Sequence, residues 1–213
     1  MGTTNDGDWS GDANSYAAAT RGKDWATQVI TPLATHASAT PGIVVEGGID
    51  IEAGFASTEA DAETWILKYL AYTSGDLVEH GSADNCPTAY GSVGLSCGPV
   101  KNDNNRINTW TQMQYYRLAH RLNAARIVAL PQIYSAADAA RWENIDRTGV
   151  GFSGKITFVG ALTSAVACAP ADSGCTSLTP AGGFAALWDS LSASAATAPT
   201  TSLTIATDLR SDT

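Results

Sequence analysis

Two acids stand two residues apart in the run Gly47-Gly48-Ile49-Asp50-Ile51-Glu52. Residues i and i+2 of a β-strand face the same side. If this run ends a strand, Asp50 and Glu52 point together. Two residues of strand rise separate their backbones by about 6.6 Å, which by itself does not choose between retaining and inverting geometry. The pair suits glycosidic cleavage, in which one acid protonates the leaving oxygen while the other serves as base, nucleophile or electrostatic stabiliser. Spacing alone does not choose the roles. Burying two adjacent acids is costly without a purpose. The competing reading keeps Asp50 and Glu52 as loop caps or as acceptors for the next helix.

Other expected strand ends supply partners. Asn5 and Asp6 close a first strand, Gln132 and Tyr134 share one face at the end of another, and Asp208 ends the last. Trp9 follows Asp6 in a Gly/Asp-rich loop and is the best placed of six tryptophans to stack on a ligand. A mouth lined by Asp6, Asp50, Glu52, Gln132, Tyr134 and Asp208 would offer the hydrogen-bonding groups that a carbohydrate or other small polar ligand needs. Gln132 and Tyr134 equally suit the satisfaction of backbone groups. The loop over residues 5–12 resembles part of a calcium loop, but Tyr16 stands where the closing glutamate belongs. No metal site and no cofactor are expected. His36, His80 and His120 are scattered, and there is no Gly-x-Ser-x-Gly elbow and no phosphate-cradling or dinucleotide motif.

The elements that must position these residues alternate between strand and helix. Residues 43–52 read as a buried strand. Thr58 is an N-cap, and Ala62, Trp65, Ile66, Tyr69 and Leu70 follow at the spacing of an amphipathic helix. Further strands are expected near 76–80, 126–134, 155–163 and 203–208, with a stub at 3–6. Helices are expected near 107–124, after Ser135 with Ala139, Trp142 and Ile145 on one face, and near 180–194 with Phe184, Leu187, Trp188 and Leu191. Residues 23–37 read as a helix that Pro32 must kink or divide. Near-continuous apolar strands separated by helices predict an α/β fold with a parallel sheet. Five or six strands fall short of a closed (β/α) barrel. The expectation is a single barrel-like domain over residues 1–213 that lacks its N-terminal strands, with an open doubly wound sheet as the alternative.

Composition narrows the class. Of 213 residues only 12 are Lys or Arg, and the net charge is −9. Nucleic acid and anionic membranes demand clustered positive charge, so neither is an expected partner. The densest basic group, Arg117, Arg121 and Arg126, recurs at roughly helical spacing and reads as an exposed helix face. No run of apolar residues is long enough to span a membrane. Four cysteines form two close pairs, Cys86 with Cys97 and Cys168 with Cys175. Neither spacing suits zinc and no histidine lies nearby, so two local disulfides and an oxidising, secreted setting are expected. The opening Met-Gly-Thr-Thr-Asn-Asp carries no signal segment. The expectation is that a leader lies outside this chain, or that the chain is part of a longer secreted protein. Oligomeric state is not legible.

The Gly-Ile-Asp-Ile-Glu strand resembles the Asp-x-Glu strand of (β/α)-barrel glycoside hydrolases, such as lysozymes of the glycoside hydrolase 25 type. Chitinases of family 18 carry a longer related acidic strand, but Gly54 stands where their pattern has its catalytic glutamate. More of the chain is similar to uncharacterised secreted actinobacterial proteins. They share a Gly-Thr-x-Asn-Asp strand end (residues 2–6), a strand ending in two acids, a Gly-Ser-Ala-Asp-x-Cys-Pro loop (81–87) and Pro-Gln-Ile-Tyr (131–134). The first likeness implies Asp50 and Glu52 as catalytic acids of a secreted glycoside hydrolase. The second implies strands upstream of residue 2 and no assigned activity. A non-catalytic carbohydrate or cell-wall binding domain on the same scaffold is the other reading.

Overall fold

The computed structural model describes residues 2–4, 15–54, 58–91, 96–101, 107–164 and 178–208. The chain begins with β1 (Gly2–Thr4) and α1 (Ser15–Asp24). A π-helical turn over Trp25–Ile30 then leads directly into α2 (Thr31–Ala37). Pro32 sits in the first turn of α2 and does not end the helix. A proline there lacks the N–H that an i→i−4 bond needs, and the wider π turn before it absorbs the mismatch.

β2 (Gly47–Asp50) is shorter than the sequence predicts. Ile43 and Val44 lie outside it and are 54% and 79% exposed. The described ladder starts only where Gly47 meets Leu77, so the apolar residues before it have no neighbouring strand to cover them. α3 (Glu59–Tyr72) begins at a capping box in which Thr58 and Asp61 satisfy each other's backbone N–H groups. β3 (Leu77–Glu79) follows. A short antiparallel pair, β4 (Val100–Lys101) and β5 (Ile107–Asn108), comes next and occupies the start of the expected helix at 107–124. That helix opens at Thr111, another capping box, as α4 (Gln112–Tyr116) and closes in a π-helical turn over Arg117–Arg121. Then come β6 (Ile127–Ala129), α5 (Ala136–Ser153) capped by Ser135, β7 (Gly160–Thr163), α6 (Pro180–Ser192) and β8 (Ile205–Asp208).

β1, β2, β3 and β6 form one parallel sheet in that order, and β7 and β8 pair in parallel. Backbone bonds join the two groups: Ala129 N to Thr157 O and Val159 N to Ala129 O, both 2.9 Å, and Ile133 N to Leu162 O at 2.8 Å. Between the bridges Ala129–Phe158 and Gln132–Leu162 the β7 side carries one more residue than the β6 side. The ladder breaks there because Pro131 cannot donate, and a bulge takes up the extra residue. The strands thus succeed one another in chain order without reversal. The described sheet stays open, because no ladder joins β1 to β8 among the described residues. The architecture is mixed α/β with parallel sheets, and the expected barrel is not shown.

One face of the sheet is packed under helices. Ile49, Leu77, Ile127 and Ala129 are fully buried with Trp65, Ile66 and Tyr69 of α3 and Trp142 of α5. Trp65 and Tyr69, one helical turn apart, stack at 5.6 Å, and Trp142 meets Tyr115 and Phe158 edge-on at 6.2 Å. Removing a ring of this size from water contributes about 4–6 kcal/mol before entropy is counted. The Tyr69 hydroxyl accepts from Gly47 N at 3.0 Å and donates to Asp76 O at 2.9 Å. A β-carbon on Gly47 would lie 2.4 Å from that oxygen, so only glycine lets the helix close on the strand. On α6, Leu187 and Leu191 are buried as the stripe predicts, but Trp188 is 37% exposed. No described helix is long and apolar enough to cross a membrane.

The three arginines do not share one helix face. Arg117 pairs with Glu59 and Glu63 of α3, and Arg121 lies over the Phe152 ring. Arg126 lies beyond the helix. It donates to the carbonyls of Leu70 (2.8 Å), Thr73 (2.8 Å) and Gly75 (2.5 Å) and faces Asp76 at 3.7 Å.

Candidate functional site

The C-terminal ends of β2, β3 and β6 bring the titratable groups together. Ile49 turns into the helix-packed core, so alternation turns Asp50 to the other face of the sheet. Gln132 reaches it from beyond β6, donating from Nε2 to Asp50 Oδ1 at 3.0 Å. The Tyr134 hydroxyl donates to Gln132 Oε1, which fixes the orientation of that amide. Regular strand ends after Asp50, and the chain that follows keeps Glu52 near enough that each carboxyl perturbs the other. Ser82 N donates to Glu52 Oε1 at 3.0 Å. Tyr134 donates to Gln132 and Gln132 to Asp50, while the Ser82 amide donates to Glu52 from the other side.

Electrostatics follow from this direction. Burial, then the Glu52 charge, then that of Glu79 push Asp50 far above the carboxylate range, while Gln132 pulls the other way. Burial and the Asp84 charge also raise Glu52, but Ser82, through its side chain and its amide, and then Asp50 oppose the shift. The two acids titrate as one unit, and both are pushed toward the protonated form. His80 continues the register beside Asp50. Burial lowers it to about 4, so near neutral pH it is an uncharged imidazole and supplies no cation to the pair. Burial raises Tyr134, and the charges of Glu52 and Asp50 add to this, so the phenol stays protonated and remains a donor.

Glu79 escapes a reading of the sequence. It pairs in the ladder with Ile49 and Ala129 on the helix-packed face and is 2% exposed. Its Oε1 accepts from Gly81 N at 2.7 Å, and Oε2 has no partner among the described residues. Burial raises it to about 8, with a further push from Glu52. The only signal in the sequence is an acid in the apolar phase of Leu77-Val78-Glu79.

The segment after β3 that carries the Ser82 amide is pinned by Cys86–Cys97, a formed disulfide. Arg141 donates to Cys86 O at 3.2 Å, Asn144 to Pro87 O at 3.2 Å, and Cys97 N to Trp110 O at 2.7 Å. Asn85 holds a left-handed backbone, φ 58°, a conformation asparagine tolerates. The ladder sets Asp208 opposite Thr163, and its side chain is outside the described ones. Asp6, Trp9, Cys168 and Cys175 lie outside the described residues.

Among the described residues no three His, Cys, Asp or Glu side chains converge to hold a metal ion. Two surface clefts open away from the acids. One lies beside Lys155 and Thr157, the other beside Val45 and Asp76, near the N-terminal ends of the strands. No known protein family, curated protein or solved structure matches the chain.

Proposed function

We propose that the chain is a secreted, glycoside hydrolase-like protein that acts on a polysaccharide through Asp50 and Glu52. The observation that carries this reading is the pair of neighbouring buried carboxyls at a strand end, Asp50 oriented by Gln132 and Tyr134 and Glu52 by the Ser82 amide. Such a pair keeps a transferable proton at neutral pH, which a general acid needs, and a residual charge able to stabilise a developing oxocarbenium ion. Gln132 and Tyr134 would orient the acids and, with Asp6, Trp9 and Asp208, contact the sugar.

The strand order supports a (β/α) barrel as the underlying scaffold. Each parallel strand lies beside the next in the chain, as single winding requires, and the acids stand at the C-terminal strand ends where barrel enzymes keep their sites. The disulfide supports an oxidising compartment.

One observation favours a non-catalytic carbohydrate-binding domain instead. Both carboxyls are already engaged, Asp50 by the Gln132 amide and Glu52 by the Ser82 N–H, and hydrolysis requires a glycosidic oxygen to reach them. Release of reducing ends from bacterial and plant polysaccharides separates the two readings. Asp50→Asn and Glu52→Gln should each lower turnover about a thousandfold with the fold intact. Unchanged turnover in both variants removes the hydrolase. Saturable glycan binding without product leaves the binding domain.

A further inference from the structure

Three groups converge on two consecutive peptide units beside the pair. The Gly81 carbonyl accepts from Gln132 N at 3.2 Å. The amide of the same peptide, Ser82 N, donates to Glu52 Oε1 at 3.0 Å. The preceding amide, Gly81 N, donates to Glu79 Oε1 at 2.7 Å. Only glycine fits this arrangement: a β-carbon at position 81 would sit 2.0 Å from Ile51 O and 2.8 Å from Glu79 Oε1. The position of the Ser82 amide is thus set from behind by an acid on the opposite face of the sheet.

That acid is buried and only half satisfied. Its second oxygen has no described partner, and Asp50 and Glu79 form no ion pair with a described basic side chain. The titratable groups that face Glu79 are Glu52 and Asp50 at the end of β2, and Tyr115 from α4, whose own ring hydroxyl feels Asp84, Glu52 and Glu79. All would be neutral or negative. A carboxylate in such a place repels its neighbours through a medium of low dielectric.

We propose that Glu79 is a positioning residue of the candidate site: its buried carboxyl holds the Gly81 amide, thereby sets the Ser82 amide against Glu52, and acts from behind the sheet on proton release from the Asp50–Glu52 pair. The proposal rests on the reading of that pair as the functional unit and adds its regulation from behind the sheet. Below the ionisation of Glu79 the Asp50 proton feels no charge from behind the sheet. Above it, a further negative charge joins the cluster and that proton is held more tightly.

The test is a carboxyl-carbon NMR titration of the unliganded protein, read together with the Gly81 and Ser82 amide protons. Glu79 should titrate near pH 8, and both amide signals should move through that step. In Glu79→Gln, which keeps the acceptor for Gly81 N, the alkaline step of the pair should fall by about one pH unit. A Glu79 that titrates in the ordinary glutamate range overturns the proposal. So does a Ser82 amide that ignores the Glu79 step, or an unmoved pair in the variant. If the variant does not fold, the wild-type titration decides alone. No substrate is involved, so a protein that cleaves nothing still passes or fails this test on its own terms.

Discussion

The two ends of the parallel sheet treat charge in opposite ways. At the N-terminal end, Arg126 spends its guanidinium on the carbonyls of Leu70, Thr73 and Gly75 and faces Asp76 across 3.7 Å. These carbonyls close α3 and the turn into β3, so the cation is a clamp between helix and sheet. At the C-terminal end, Asp50, Glu52 and Glu79 gather with hydrogen bonds from amides and a phenol-oriented glutamine. The first arrangement lowers the energy of the fold. The second raises it, because every acid there is pushed toward its neutral form. A cluster kept at such expense is the mark of a site rather than of a scaffold.

The sharpest break of this contrast is Arg126→Ala. Three buried-side carbonyls lose a charged donor at once, and denaturant unfolding should show a loss of about 3 kcal/mol, or about 6–12 °C in melting temperature. Arg126→Lys should recover less than half of it, since one ammonium cannot span the fork that the guanidinium makes. A loss below about 1 kcal/mol would reduce Arg126 to an ordinary surface arginine.

At the other end the same experiment should change sign. Asn at position 50 accepts from Gln132 and offers an N–H toward Glu52, without a proton to lose. Asp50→Asn should therefore stabilise the fold at neutral pH by about 1–2 kcal/mol while lowering turnover about a thousandfold. The pH dependence has a definite direction. Asp50 and Glu79 hold their protons in the folded state after the unfolded chain has released them. Their contribution is complete below about pH 4 and is lost as pH climbs through the folded values, near pH 8 for Glu79. Stability should thus peak in acid and fall toward pH 8, more shallowly in Asp50→Asn, with the two proteins converging near pH 4. Unfolding curves with the opposite slope would make these acids structural partners after all.

The contrast also separates what the sequence discloses from what it hides. Periodicity finds the α3 stripe of Trp65, Ile66 and Tyr69, because helical spacing and burial are the same fact. The i, i+2 rule puts Asp50 and Glu52 on one face, but does not couple them. Coupling depends on β2 ending at Asp50, and that depends on where its neighbours stop. Ile43 and Val44 look like strand and are not, since hydrophobicity does not reveal whether a partner strand is alongside. Arg126 reads as one of three helical arginines because its carbonyl partners come from α3 and the following turn. Glu79 is the hardest case. Its role exists only through the Gly81 amide, and no residue type advertises that a backbone N–H will need an acceptor.

Tyr134→Phe offers the finest discrimination between the two ends. It deletes one hydroxyl and no packing volume, and leaves Gln132 Oε1, in a residue 6% exposed, without its donor. The stability loss should be about 1 kcal/mol, far below that of Arg126→Ala. The functional effect should be larger than the structural one. A glutamine no longer fixed by the phenol can rotate its amide and present oxygen to the Asp50 proton. The Asp50 carboxyl carbon should then titrate at higher pH, because the amide donor that favours its anion is gone. If Tyr134→Phe instead unfolds the protein as Arg126→Ala does, with the Asp50 titration unmoved, the Tyr134–Gln132–Asp50 chain is a girder and the two ends of the sheet are alike.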